Sequence, residues 1–230
     1  MEVTNYLRCE RKFLIDDLSA QDIEEIILLH PALFSPIYCE RFVNNIYFDN
    51  LELLSYYETD NGTTPRKKVR VRWYGDLAGQ ISKPVLEIKK KSGIVGKKEC
   101  HSLPGFFLDK FFPRGGVWGA AGNTTSDEGF KNELALLEPT LVNRYTRKYF
   151  LSADGYYRIT LDSNIIFFRT GPLLPMLSAN ALVEPYRVVE LKYDHTKDGE
   201  AFGITNHLPF RLTKSSKYVL GISRLKSFLG

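Results

Sequence analysis

The chain has 230 residues, of which 43% are hydrophobic and 25% are charged. This length and composition are typical of a globular protein with a substantial core, and they exclude a disordered chain, a collagen-like chain and a disulfide-rich miniprotein. The three cysteines are far apart and form no CxxC pair, which argues against a zinc ribbon.

The net charge of +4 conceals a strong asymmetry along the chain. Residues 1–60 contain 4 basic and 12 acidic residues, whereas residues 61–101 contain 11 basic and 3 acidic residues. A basic segment this dense indicates a polyanionic partner, such as phosphate, a nucleotide, a nucleic acid or an anionic lipid.

The start of the chain and its hydropathy predict where the protein resides. Residues 1–11 carry charges and lack the apolar segment of a signal peptide. No stretch approaches the roughly 18 apolar residues of a membrane-spanning helix. We therefore expect a soluble, cytoplasmic protein with no membrane segment, folded as a single domain over residues 1–230.

The spacing of apolar residues predicts mainly strands, with fewer helices between them. A glycine-rich patch at Arg114–Asp127 is typical of a surface loop. The pattern indicates an α+β chain with an antiparallel sheet of about eight strands. In chain order, the predicted elements are a strand at Tyr6–Ile15, a helix from the Ser19 cap to Leu29, a strand at Arg41–Phe48, a helix at Asn50–Tyr57, strands at Arg66–Tyr74 and Pro84–Lys91, a helix at Asp127–Leu137 capped at Ser126, strands at Leu141–Leu151, Tyr156–Phe168 and Tyr186–Tyr193, and a helix at Ser215–Phe228.

Charged residues recur at every second position in five of the predicted strands. Because alternate residues of a strand share a face, Arg70 and Arg72 lie on one face and Val71 on the other. The charged faces contain Glu10 and Lys12 in the first strand, Lys68, Arg70 and Arg72 in the third, Glu87, Lys89 and Lys91 in the fourth, Arg158 and Asp162 in the sixth, and Glu190 and Lys192 in the seventh.

These charged faces allow two interpretations. One is an ordinary sheet with a solvated charged face. The other is a closed barrel with a polar interior, in which arginine and lysine bind phosphates. In the second interpretation the minority carboxylates Glu87, Asp162 and Glu190 would hold a divalent metal ion. Nucleic-acid binding stays an alternative because of the basic segment RKKVRVR at residues 66–72.

Eight short motifs occur in the order expected of a known family. With this set, over about residues 6–225, the chain resembles the VTC domain, the polyphosphate-polymerase domain of the vacuolar transporter chaperone complex. That domain belongs to the triphosphate tunnel metalloenzyme (CYTH-like) superfamily. The motifs are Glu10-Arg11-Lys12-Phe13, Ile46-Tyr47-Phe48-Asp49, Lys68-Val69-Arg70-Val71-Arg72, Leu86-Glu87-Ile88-Lys89-Lys90-Lys91, Arg144-Tyr145-Thr146-Arg147, Arg158-Ile159-Thr160-Leu161-Asp162, Val189-Glu190-Leu191-Lys192 and Lys214-Ser215-Ser216-Lys217-Tyr218.

The resemblance implies an α+β fold with an eight-stranded antiparallel β-barrel, the triphosphate tunnel, and flanking helices. It implies Mn²⁺ or Mg²⁺ as the cofactor, with Glu190 as a metal ligand and Glu87 as a further acidic member. Other implied substrate-binding residues are Glu10, Lys68, Lys91, Ser216 and Lys217. The implied catalytic lining of the tunnel consists of Lys12, Arg70, Arg72, Lys89, Arg147, Arg158, Lys192 and Lys214.

The resemblance favours polyphosphate synthesis from ATP. A terminal phosphate of the growing chain would attack the γ-phosphate, and ADP would leave. The nearest alternative is an inorganic or organic triphosphatase, such as a thiamine triphosphatase, in which water attacks instead. A third possibility is a non-catalytic module that binds polyphosphate or nucleotide. The expected partners are therefore ATP, triphosphate or polyphosphate, and no nucleic acid.

Overall fold

The computed structural model describes residues 8–92, 95–108, 128–170 and 181–227. Within these residues lie eleven strands, five α-helices and one short 3₁₀ helix. Their bounds are β1 Arg8–Ile15, α1 Ala20–Leu28, β2 Ser35–Asp49, α2 Leu54–Asp60, β3 Arg66–Tyr74, β4 Gly79–Ile81, β5 Val85–Ser92, β6 Val95–Ser102, β7 Phe106–Leu108, α3 Glu128–Ala135, β8 Glu138–Leu151, β9 Arg158–Arg169, β10 Leu182–Val183, β11 Arg187–Asp194, the 3₁₀ helix His195–Lys197, α4 Ala201–Thr205 and α5 Lys217–Ser227.

The main sheet has the strand order β1-β11-β9-β8-β2-β3-β5-β6, and β10 pairs with β9. A second, two-stranded sheet consists of β4 and β7. The pairings of β1 with β11, β11 with β9, β2 with β3, β3 with β5 and β5 with β6 are all antiparallel. The predicted α+β class with an eight-stranded antiparallel sheet is thereby confirmed. None of the helices in the described ranges is long and apolar enough to span a membrane.

All seven predicted strands are present, although some bounds differ by several residues. The third coincides with β3, whereas β6 was not predicted. Residues 6 and 7 of the first predicted strand lie outside the described residues. So do the Arg114–Asp127 loop and the Ser126 cap.

The start of the first predicted helix is correct and that of the second is wrong, and the difference lies in the groups that cap them. Ser19 caps α1 in a reciprocal capping box with Asp22, as expected. The predicted helix at Asn50–Tyr57 is wrong at its start, because α2 begins at Leu54. The carboxylate of Asp49 accepts hydrogen bonds from the backbone N–H groups of Ser55 and Tyr56, and so satisfies the first turn from outside the helix.

The chain forms two compact units, and the first contains residues 1–41, 145–165 and 184–215. Its core lies under one face of β1, β9 and β11. Helix α1 contributes Ile23 and Ile27 to this core. The strand residues buried in it lie on the face opposite the predicted charged residues, and they include Phe13, Ile159, Leu161, Val189 and Leu191.

The second unit contains residues 42–144, 166–183 and 216–230. Helix α5 packs closely in this unit at Gly221, where a Cβ atom would lie 2.5 Å from Leu141 Cδ2 and 2.9 Å from Phe167 Cδ1. A glycine is therefore needed for this approach. The core of the unit includes Ile46, Phe48, Val69, Val71, Trp73, Leu86 and Ile88.

Candidate functional site

The charged face of the first unit contains a group of alternating charges that we call the Glu190 cluster: Glu10, Lys12, Glu190 and Lys192. In the sheet, Lys12 lies opposite Glu190 and Glu10 lies opposite Lys192. The Nζ of Lys12 is 2.6 Å from Glu10 Oε1 and 3.3 Å from Glu190 Oε1. The Nζ of Lys192 is 2.7 Å from Glu190 Oε2. Antiparallel pairing thus brings four residues predicted for the site into one ion network.

In the Glu190 cluster, neighbouring charges favour the ionised forms of Lys12 and Glu190. Burial alone would lower the pKa of Lys12, but the Glu190 and Glu10 carboxylates outweigh this effect and raise it. Burial alone would raise the pKa of Glu190, but Lys12 and Lys192 keep it well below its usual range. Both groups therefore remain ionised at neutral pH.

A second ion pair of the first unit joins neighbouring strands of the sheet. On β8, the Nε and Nη2 of Arg147 donate to the two carboxylate oxygens of Asp162 on β9, at 2.5 and 2.7 Å. Both residues are buried. Burial alone would lower the pKa of Arg147, but Asp162 raises it well above its ordinary value. As a metal ligand, Asp162 would have to release Arg147.

The remaining predicted residues of the first unit differ in exposure. Arg158 is exposed and lies opposite Lys192 in the β9–β11 pairing. Thr160 lies opposite Glu190 and is buried, and its hydroxyl has no partner among the described residues. Lys214 is exposed on the segment after α4, where the next residue, Ser215, accepts a hydrogen bond from Lys12 Nζ through its carbonyl.

The charged face of the second unit is organised around one carboxylate, in a group that we call the Glu87 cluster: Arg70, Arg72, Glu87 and Lys98. The Nε and Nη2 of Arg70 lie 2.7 and 2.5 Å from Glu87 Oε2. Lys98 Nζ is 2.6 Å from Glu87 Oε1, and Arg72 Nη1 is 3.7 Å from the same oxygen. Burial would raise the pKa of Glu87, but these cations, Arg70 foremost, hold it far below its usual range.

Further cations of the second unit line up across the strands. Lys68 on β3 pairs with Lys89 on β5, and Lys89 pairs with Lys98 on β6. Like charges in directly opposite positions disfavour strand pairing, and a bound polyanion would offset their repulsion. Lys91, which pairs with Arg66, continues the same face.

The C-terminal motif meets this face at the start of α5. The hydroxyl of Ser216 accepts a hydrogen bond from Lys68 Nζ at 3.1 Å. The same hydroxyl lies 3.5 Å from the backbone N–H of Val219, which places Ser216 at the cap of α5. Lys217 is the first residue of the helix.

Several residues of the second unit that contact the predicted ones were missed by the sequence analysis. The hydroxyl of Tyr47 accepts a hydrogen bond from Arg70 Nη1 at 3.1 Å, and its ring stacks on Tyr218. The Tyr218 hydroxyl donates to Asp49 Oδ2 at 2.6 Å. Tyr47 and Asp49 lie at every second position after Asn45 on β2, so the alternation of that strand was a usable signal. For Lys98 the sequence offered no such signal, because β6 was not predicted.

The residues that fit a divalent metal ion best are the carboxylates of the Glu190 cluster. No group of three or more His, Cys, Asp or Glu side chains in the described part of the chain is arranged to hold a metal ion. Glu10 and Glu190 nevertheless share Lys12, and hard oxygen ligands of this kind suit Mg²⁺ or Mn²⁺, which often bind one or two carboxylates plus substrate phosphates. Glu87 has both oxygens bound by cations, as Asp162 does.

Comparisons with known proteins agree with this fold. A candidate adenylate cyclase from Bacillus halodurans has a TM-score of 0.54 and 10% identity, covering 94% of this chain and 96% of that chain. An adenylyl cyclase-like protein from Hippeastrum, described as having a dominant triphosphatase activity, has a TM-score of 0.52 and 14% identity, covering 94% and 95%. A candidate adenylate cyclase from Vibrio parahaemolyticus has a TM-score of 0.52 and 12% identity, covering 94% and 99%. At these identities the likeness shows the fold alone.

The sequence itself places the chain in a family. The VTC domain family matches residues 7–226, nearly the whole chain. The chain therefore belongs to the VTC domain family, and the resemblance predicted from its motifs is confirmed. No curated protein matches the sequence.

Proposed function

We propose that this chain is an enzyme that catalyses metal-dependent phosphoryl transfer on a triphosphate or polyphosphate. The observation that carries the proposal is the excess of cations on the charged face of the second unit. There cationic side chains of β3, β5 and β6 lie side by side, and the carboxylate of Glu87 contacts three of them, Arg70, Arg72 and Lys98. Neighbouring cations of this kind favour a bound polyanion. The cations on this face include Lys68, Arg70, Arg72, Lys89, Lys91 and Lys98.

Phosphoryl transfer suits a site of this composition. The reaction requires positioning of the phosphates and neutralisation of their charge more than covalent chemistry by the protein. Arg70 and Arg72 supply planar donors that match phosphate oxygens, and the lysines supply point charges. In the first unit, Glu190 and Glu10 would hold a metal ion, which would supply Lewis-acid chemistry to a phosphate.

We favour synthesis of polyphosphate from ATP, because the family that matches the chain is the VTC domain. In that reaction the terminal phosphate of the acceptor attacks the γ-phosphorus of ATP, the bond to the β-phosphate oxygen breaks, and ADP leaves. Triphosphate hydrolysis is the second candidate. It is favoured by the likeness to the Hippeastrum protein with its triphosphatase activity.

The test is incubation of the protein with ATP or tripolyphosphate and Mn²⁺, followed by gel separation of phosphate chains and a phosphate assay. A ladder of chains indicates a polymerase, and release of phosphate alone indicates a hydrolase. Lys89→Ala is expected to lower kcat/KM about 10- to 100-fold, because a charge-assisted contact contributes about 1.5–3 kcal/mol. If the wild-type protein forms neither chains nor free phosphate, the proposal is contradicted.

The matched control for Lys89→Ala is Lys90→Ala. Lys90 is the next residue of the same strand, and its side chain is 49% exposed and pairs with Glu99. Because it lies on the opposite face, Lys90→Ala should leave kcat/KM nearly unchanged. Equal losses in the two variants would mean that the charged face has no special role.

The carboxylate of Glu190 provides a separate test of metal dependence. We expect Glu190→Gln to remove turnover, while binding of tripolyphosphate in EDTA persists, because the cations alone can hold a polyanion. The measurements are activity with Mn²⁺ and calorimetric titration without it. Full activity of the wild type in excess EDTA would be incompatible with a metal-dependent reaction.

A further inference from the structure

A chain of hydrogen bonds within the second unit ends in an amide that lies outside the eight sequence motifs. Asn45 on β2 lies directly opposite Arg72 on β3. Arg72 Nε donates to Asn45 Oδ1 at 2.8 Å, and Asn45 Nδ2 donates to Asn143 Oδ1 at 2.7 Å. Asn45 and Asn143 are fully buried, and Arg72 is 8% exposed.

The chemistry of these three side chains fixes the orientation of both amides. A guanidinium group has only donors, so Asn45 must present its oxygen to Arg72. The NH₂ group of Asn45 therefore faces Asn143, which must accept with its own oxygen. It follows that the group left over at the end of the chain is the NH₂ group of Asn143.

That NH₂ group has no hydrogen-bond partner among the described residues, although it is buried. A buried donor without an acceptor is costly, and a bound acceptor is one explanation for such a group in a native structure. The carboxylate next to Arg72, that of Glu87, is already shared by Arg70, Arg72 and Lys98. The leftover group is donor-only, so its missing partner must be an acceptor.

We propose that Asn143 is a ligand-binding residue whose NH₂ group donates to a phosphate oxygen of the bound triphosphate or polyphosphate. The inference rests on the proposed function and extends it to a neutral residue. A neutral donor binds an anionic oxygen without adding to the repulsion among the cations. Asn45 is the positioning residue, since it orients both Arg72 and Asn143 toward the same ligand.

The experiment uses two substitutions that remove the donor in different ways. Asn143→Asp keeps the acceptor for Asn45 and the size of the side chain, and loses only the NH₂ group. Asn143→Leu removes the donor without adding a charge, so it separates the loss of the hydrogen bond from electrostatic repulsion. Binding of tripolyphosphate is measured by calorimetric titration in EDTA, together with the melting temperature of the free protein.

We expect both variants to bind tripolyphosphate at least about 10-fold more weakly than the wild type. The control is Asn44→Leu. Asn44 is equally buried and adjacent in sequence, but its amide donates to the carbonyls of Gly75 and Asp76. This control should lower the melting temperature and leave the dissociation constant unchanged.

Two results would overturn the inference, and they are distinguishable. If the wild type binds tripolyphosphate and Asn143→Leu binds it equally well, Asn143 has a structural role and the proposed function stands. If the wild type binds neither tripolyphosphate nor longer polyphosphate, the proposed function fails and the inference fails with it.

Discussion

Replacing Glu87 with glutamine is expected to lower the free energy of unfolding by about 3 kcal/mol, because the three cations of its cluster lose their shared counter-ion. For a protein of this size, this corresponds to a fall in melting temperature of roughly 6–12 °C. Glutamine keeps the size of the side chain, and Lys98 is 47% exposed, so a larger loss is not expected. Thermal unfolding at neutral pH measures the effect.

The same variant should respond more strongly to polyanions than the wild type. Tripolyphosphate can replace the missing carboxylate beside Arg70, Arg72 and Lys98, and a ligand that binds only the folded state at about 100 times its dissociation constant contributes about 2.7 kcal/mol. We therefore expect tripolyphosphate to restore most of the lost melting temperature. An equal rise with heparin or DNA would instead indicate a general basic surface.

The control is Glu99→Gln on the neighbouring strand. Glu99 also accepts from two lysines, Lys90 and Lys97, each at 3.3 Å. These lysines are largely exposed, so Glu99→Gln should lower the free energy of unfolding by no more than about 1 kcal/mol. Tripolyphosphate should stabilise this variant no more than it stabilises the wild type. Equal destabilisation by the two substitutions would contradict a special role for the Glu87 cluster.

The pKa of Glu87 also fixes the sign of a pH effect. Because the pKa in the folded protein is lowered from the ordinary 4.5, the stability that ionised Glu87 contributes is fully present above about pH 4.5 and is lost as the pH falls below it. Glu87→Gln has no such contribution. The difference in stability between wild type and variant should therefore shrink as the pH is lowered from 4.5.

Strand alternation was sufficient to predict which residues share the charged faces. The burial of Val69, Val71, Leu86 and Ile88 in one core confirms the side assigned to Arg70 and Glu87. What alternation cannot give is the register between strands. Lys98 contacts Glu87 because Glu87 pairs with Cys100, and Lys98 lies two residues before Cys100 on the same face of β6. The sequence VGKKECHS of β6 has few β-branched or aromatic residues, so nothing local marks it as a strand.

The sequence also could not reveal the neutral polar residues that contact the charged ones. Asn45 and Asn143 are far apart in sequence and carry no charge, so no pattern links either of them to Arg72. Their role follows from hydrogen-bond chemistry once β2, β3 and β8 are neighbours. The start of α2 was missed for a similar reason, since the group that caps it, Asp49, belongs to a strand.

The pair of Arg147 and Asp162 gives the other large expected effect. Asp162 is 1% exposed and its two oxygens accept from Arg147, so Asp162→Ala leaves a buried guanidinium without its hydrogen-bonded counter-charge. Breaking a buried ion pair in this way costs about 3–5 kcal/mol, which corresponds to roughly 6–20 °C in melting temperature. Thermal unfolding of the single variant tests this.

A double variant separates the stability of this pair from its function. Replacing both residues, Asp162→Leu together with Arg147→Met, removes the two charges at once, and such replacements of buried pairs are often neutral for stability. We expect the double variant to melt near the wild type but to lose tripolyphosphate binding, because it lacks the Arg147 guanidinium that we expect to bind a phosphate oxygen. Unchanged binding would make Arg147 purely structural. A double variant as unstable as Asp162→Ala would show that packing, rather than the uncompensated charge, determines the loss.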